Sequence, residues 1–188
     1  MITIARLSDI EREVLFGNAA AKAGINNPAI VEKDFWVCFI LDYLFHKSPW
    51  TQSFIFKGGT SLSKAYHVIE RFSEDIDLIM DWRILGYGVH EPWMERSKTQ
   101  QDKFNKKAVA NASVFLRESF VPKIAKDLSD MMVQNATVCM DPDDKEHCTV
   151  NFYYPHVFST DYIRQEIRLE IGPSNSVLSH ACRWFCDF

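Results

Sequence analysis

At 188 residues, 47% hydrophobic and 24% charged, the chain has the composition of an ordinary globular domain with enough apolar residues for one core. No apolar run reaches membrane-spanning length, the first residues lack the apolar stretch of a signal peptide, and five cysteines without framework spacing fit reduced thiols, so a cytoplasmic protein that engages no membrane is expected. A net charge of −4 argues against a protein that coats nucleic acid indiscriminately.

Ser8 with Glu11 forms a capping box, which predicts a helix running toward Gly24. Asn27-Pro28 then starts a second helix, apolar almost all round from 35 to 45 and so buried on most sides. Glu32-Lys33-Asp34 lies one turn before that apolar stretch, where a solvated turn is the plain reading. The short apolar run 54–56 predicts a buried strand that Gly58-Gly59 turns into a tight bend. Thr60 or Ser61 can cap the helix that follows, with Leu62, Ala65, Val68 and Ile69 at helical spacing, and the free N–H groups of such a start bind phosphate well. In the next predicted strand Asp75 and Asp77 point to one face, and two adjacent carboxylates make sense chiefly with a cation between them.

Positions 82–94 carry Gly86, Gly88 and Pro92 without periodicity and read as a loop. A helix over about 98–120 follows, with Phe104, Ala108, Ala112 and Phe115 as its buried stripe, and Pro122 starts a shorter helix ending near 131. Between 95 and 126 eight basic residues face three acids, a local +5 against −9 for the rest, and Lys103, Lys106 and Lys107 share one side. That side is a candidate RNA-contacting surface, against the plainer reading of a solvated face. Stretches 133–140 and 148–154 predict a hairpin around the turn Asp141-Pro-Asp-Asp144. Cys139, His147, Cys148 and His156 match no zinc-ligand spacing. The last predicted strand, 163–171, alternates Glu166, Arg168 and Glu170 on one face with Ile167, Leu169 and Ile171 on the other.

Strand, glycine turn, Ser, helix and a neighbouring Asp-x-Asp strand resemble the nucleotidyltransferase superfamily. More closely, Lys57-Gly-Gly-Thr-Ser-Leu-Ser-Lys64, Arg71-Phe-Ser-Glu-Asp-Ile-Asp-Leu78, Val31-Glu-Lys-Asp-Phe-Trp-Val37 and Arg168-Leu-Glu-Ile-Gly172 resemble the AbiEii/AbiGii-type toxin family, over about 30–172. The resemblance implies an α/β (α+β) fold, a mixed sheet flanked by helices. It implies transfer of a nucleoside monophosphate from a nucleoside triphosphate to an acceptor hydroxyl. Asp75, Asp77 and Glu170 would hold one or two Mg²⁺ ions, and Gly58, Gly59, Thr60, Ser61 and Lys64 would bind the triphosphate. It also places the Glu32-Lys33-Asp34 cluster near the cleft, the 3′ end of tRNA as acceptor, and a cognate antitoxin as partner.

The domain expected is 1–172, with a divergent tail over 173–188 in place of the family's helical C-terminal region. In that tail Trp184, Phe185 and Phe188 would need cover from the core, and Cys182 and Cys186 read as plain thiols. Two rival functions are nucleotidylation of a small molecule and an inactive nucleotide- or partner-binding remnant.

Overall fold

The computed structural model describes residues 1–58, 75–146 and 148–173. The predicted helix over 62–69, His147 and the tail from 174 onward therefore lie outside the described residues.

After a short helical turn α1 (Ile2–Ala5), α2 (Asp9–Ala23) begins at the Ser8–Glu11 capping box and ends at Gly24, whose φ of +69° closes the last turn. α3 (Pro28–His46) starts where the Asn27 side chain accepts the Ala29 N–H at 3.1 Å, with Pro28 at its first position. It buries Trp36, Val37, Phe39, Ile40, Tyr43 and Leu44, as a helix apolar on most sides must. The stretch expected to be a loop holds two 3₁₀ turns, Trp82–Leu85 and Glu91–Trp93, the first capped by Asp81 accepting from the Arg83 N–H at 2.8 Å.

The two helices predicted over 98–131 are one run with a wide turn inside it. α4 (Lys98–Phe115) passes through a single π turn (Leu116–Phe120) into α5 (Val121–Asp130). Pro122 has no N–H and its ring crowds the preceding turn, so a regular helix would break there. Widening the turn, with the Val121 N–H reaching back to Leu116 O, lets the helix continue. Leu116 and Phe120 both point into the core.

Among the described residues β1 (Phe54–Lys57), β2 (Asp75–Met80), β3 (Thr137–Met140), β4 (Thr149–Tyr153) and β5 (Glu166–Pro173) form one sheet in the order β1-β2-β5-β4-β3. β2 and β5 are parallel and the other neighbours antiparallel. This is the α+β, mixed-sheet class expected. One face of the sheet is apolar: Phe54, Ile76, Leu78, Met80, Val150, Phe152, Ile167, Leu169 and Ile171 share a core cluster with α3, Ala112, Leu116, Phe120, Ile124 and Leu128. Strict alternation of buried and half-buried residues along β2 and β5 sends every second side chain to the other face.

Candidate active site

That other face is polar. The register sets Lys57, Asp77, Glu170 and Thr149 in one row across β1, β2, β5 and β4. The adjacent row holds Asp75, Arg168, Asn151 and Cys139. Asp77 and Glu170 are thus direct neighbours on parallel strands, Asp75 lies two residues along on the same face, and the cause is the period of two in each strand.

Gly58 follows β1 directly, with φ +77°, a conformation that L side chains rarely adopt. A Cβ placed on it would overlap the carboxylate of Asp77. Glycine is therefore required twice over, by the backbone conformation and by the close approach of the turn to Asp77. Gly59, Thr60, Ser61 and Lys64, which come next in the sequence, lie outside the described residues.

Three carboxylates are a hard, all-oxygen donor set of the kind that suits Mg²⁺. Among the described residues no three His, Cys, Asp or Glu side chains stand close enough to form a preformed ion site. A cation here would draw on carboxylates that turn toward it, and Glu170, with its side chain 45% exposed, has room to do so. The guanidinium of Arg168 lies 3.7 Å from Glu170 Oε1 and 3.4 Å from Asp141 Oδ2, linking the carboxylate row to the acidic turn. That turn is more than a connection between strands: Asp141 is buried, accepts the Asp143 N–H at 3.0 Å and takes Arg168 as its ionic partner. A groove of about 340 Å³ opens beside it on the polar face, lined by Asp141, Asn151, Tyr153, Arg164, Glu166 and Arg168.

The solvated-turn reading of Glu32-Lys33-Asp34 is overturned for its first two residues, which are buried inside α3. Glu32 accepts the N–H groups of Val157 (2.8 Å) and Phe158 (3.0 Å), and Lys33 donates to Arg164 O at 3.0 Å. Arg12, also buried, donates to Pro155 O at 2.7 Å, pairs with Asp9 and lies over the Trp36 ring. Burial pushes the Glu32 carboxyl up, against the two N–H donors and the nearby Arg12 charge, which pull it down. Together these side chains fix the irregular segment between β4 and β5, and so the start of the strand that carries Glu170. A Glu-Lys pair just ahead of an apolar helical run was the available signal: charge so placed needs partners within the fold.

The structure does not bring Lys103, Lys106 and Lys107 to the carboxylates. All three are exposed on α4, whose buried side belongs to the core on the apolar face of the sheet.

A mixed sheet with helices packed on one face, and with Gly58 at the end of one strand set against the neighbouring Asp-x-Asp strand, is the arrangement of the nucleotidyltransferase class. Within that class, residues 40–182 match the family described as "Nucleotidyl transferase AbiEii toxin, Type IV TA system". The chain belongs to this family of nucleotidyltransferase toxins of type IV toxin–antitoxin systems. The match begins after the Val31–Val37 motif and continues ten residues past Gly172. No curated protein and no solved structure matches the chain.

Proposed function

We propose that the protein transfers a nucleoside monophosphate from a nucleoside triphosphate to an acceptor hydroxyl, as the toxin of a pair with a cognate antitoxin. The observation that carries this reading is the pairing of Asp77 with Glu170 on one sheet face, with Gly58 folded against Asp77. Asp75, Asp77 and Glu170 would hold one or two Mg²⁺ ions. When bound, the metal neutralises the triphosphate and makes the attacking hydroxyl more acidic. Gly58, Gly59, Thr60 and Ser61 would offer N–H and hydroxyl donors to the phosphates, and Lys64 would add a charge. A side chain at Gly58 would run into the Asp77 carboxylate. Arg168 restrains Glu170 from the groove side.

The proposed acceptor is the 3′ end of tRNA, with Lys103, Lys106 and Lys107 contacting RNA phosphates beyond the sheet. Incubating the purified protein with each labelled nucleoside triphosphate, Mg²⁺ and total tRNA tests the reading. Label entering the tRNA is expected; a lack of transfer with every nucleotide would remove the reading. The mixed charge of the groove beside Glu170 favours a second reading, transfer to a small polyhydroxylated molecule. Label appearing in such a molecule and not in RNA would select it.

A further inference from the structure

We infer that the groove between the hairpin and β5 is the acceptor subsite and that it takes a sugar hydroxyl, an inference resting on the transfer reaction proposed above. Direction comes first. In a phosphoryl displacement the attacking and departing oxygens lie on opposite sides of the reacting phosphorus. The departing end belongs at the Gly58 turn, which follows β1 at one side of the Asp77–Glu170 row. The acceptor must then approach from the opposite side, across β5 toward β4. The groove opens there, and Arg168, which lines it, reaches Glu170.

Chemistry narrows the ligand. Asn151 is 5% exposed and its Oδ1 has no hydrogen-bond partner, and Nε of Arg168, its register neighbour, is likewise buried and unpartnered. Buried polar atoms without partners are uncommon and costly. One is an acceptor and the other a donor, and a hydroxyl is the group that can serve both, donating to the amide oxygen and accepting from the guanidinium. A phosphate only accepts, and here it would meet the carboxylates of Asp141, Asp143 and Glu166 against the guanidiniums of Arg164 and Arg168, the latter already paired with Asp141 and Glu170. The groove thus suits the hydroxyls of a sugar better than a nucleic-acid backbone. In the step itself a hydroxyl oxygen bonds to the α-phosphorus as the α–β bridging P–O bond breaks. Pyrophosphate leaves with the electron pair, and the hydroxyl proton passes to water at the open face.

The test uses the full chain with Mg²⁺ and labelled nucleoside triphosphate, comparing the parent with Asn151→Ala and with Tyr153→Phe, which removes one hydroxyl from a partly exposed lining residue. Acceptors are intact tRNA, the same tRNA after periodate cleavage of its terminal diol, and free adenosine as a small ribose. Triphosphate affinity is measured separately, without acceptor. The expected result is an acceptor KM raised about tenfold in Asn151→Ala, a smaller rise in Tyr153→Phe, and triphosphate affinity within about twofold of the parent. Activity on intact tRNA alone assigns the sugar to an RNA terminus, and activity on adenosine assigns it to a small acceptor. The inference is overturned by an unchanged acceptor KM in both variants, by a matching loss of triphosphate affinity, or by periodate-treated tRNA serving as well as intact tRNA. A parent that transfers to nothing removes the reaction and the inference together; a parent that transfers while the variants leave acceptor KM alone removes the inference only.

Discussion

The chain uses charge in two different ways in two places. Around α3 the buried Arg12, Glu32 and Lys33 bond to the main chain at positions 155, 157, 158 and 164, and Arg12 also pairs with Asp9, so each charge is answered within the fold. On β2 and β5 the polar face carries Asp75, Asp77, Glu166 and Glu170, with Lys57 and Arg168 as the basic residues of the same rows. The first group resembles a set of rivets and the second a surface prepared for a ligand that brings positive charge. Removing a rivet should therefore cost stability first and activity second. Altering the carboxylate face should do the reverse.

The largest expected effect is that of Asp77→Asn. Loss of one of the charges proposed to hold Mg²⁺ should lower transfer by on the order of a thousandfold, since such contacts supply several kcal/mol of transition-state stabilisation. Thermal unfolding without Mg²⁺ should show equal or greater stability than the parent, because a repulsion is relieved. A large drop in melting temperature would place Asp77 among the rivets and break the comparison.

Gly58→Ala comes next. The added methyl group must displace the Asp77 carboxylate and also adopt a left-handed φ, which costs about 1–2 kcal/mol. Transfer should fall by more than the stability loss explains, and nucleotide binding with and without Mg²⁺ separates the two effects. Parental activity would show that the turn has no bearing on the site.

Glu32→Ala probes the other group. It leaves two buried N–H donors without an acceptor and should lower stability by about 2–3 kcal/mol, read as a shift of the denaturation midpoint. Any activity that remains should follow the folded fraction. Glu32→Gln should be milder and should change the pH response. Because burial holds the native carboxyl above its ordinary 4.5, the folded protein keeps a proton that the unfolded chain has released. Its contribution is full at pH below 4.5 and declines as pH rises toward the native value. The Gln variant should lack that decline, and identical profiles would exclude Glu32 as its source.

The smallest effect is expected from the triple replacement of Lys103, Lys106 and Lys107 by alanine. Each lost phosphate contact should reduce the log–log salt slope of RNA binding by roughly 0.7 to 0.9, with triphosphate affinity unchanged. Parental binding at every salt concentration would make this side of α4 a solvated face.

The two groups also differed in how far the sequence disclosed them. The strands of the carboxylate face were legible because alternation is a local signal: Asp75 with Asp77, and Glu166 with Arg168 and Glu170, declare a shared face without knowledge of their neighbours. The Ser8–Glu11 capping box and the Asn27-Pro28 start were legible for the same reason, since each involves residues within one turn. The backbone partners of Arg12, Glu32 and Lys33 lie more than 120 residues away, on atoms that have no residue-type signature. Pro122 reads as a helix start, and the wide turn that carries the helix through it goes with the packing of Leu116 and Phe120 into the core, which no local signal shows. The groove was hidden because it depends on a hairpin, a connecting segment and a strand meeting at once.

The sheet order has a bearing on synthesis. β5, the last of the described strands, lies between β2 and β4 in the sheet, so Glu170 meets Asp77 only after the 92 positions between them have been made. A nascent chain that has exposed both aspartates still lacks their neighbour, the groove and the parallel pairing that would hold them. Non-local pairing of this kind forms late and slowly. On the reading proposed above, a nascent chain of this toxin family that stops short of β5 lacks the Asp77–Glu170 pair on which transfer is proposed to depend, and fragments left by stalled translation would be harmless for that reason.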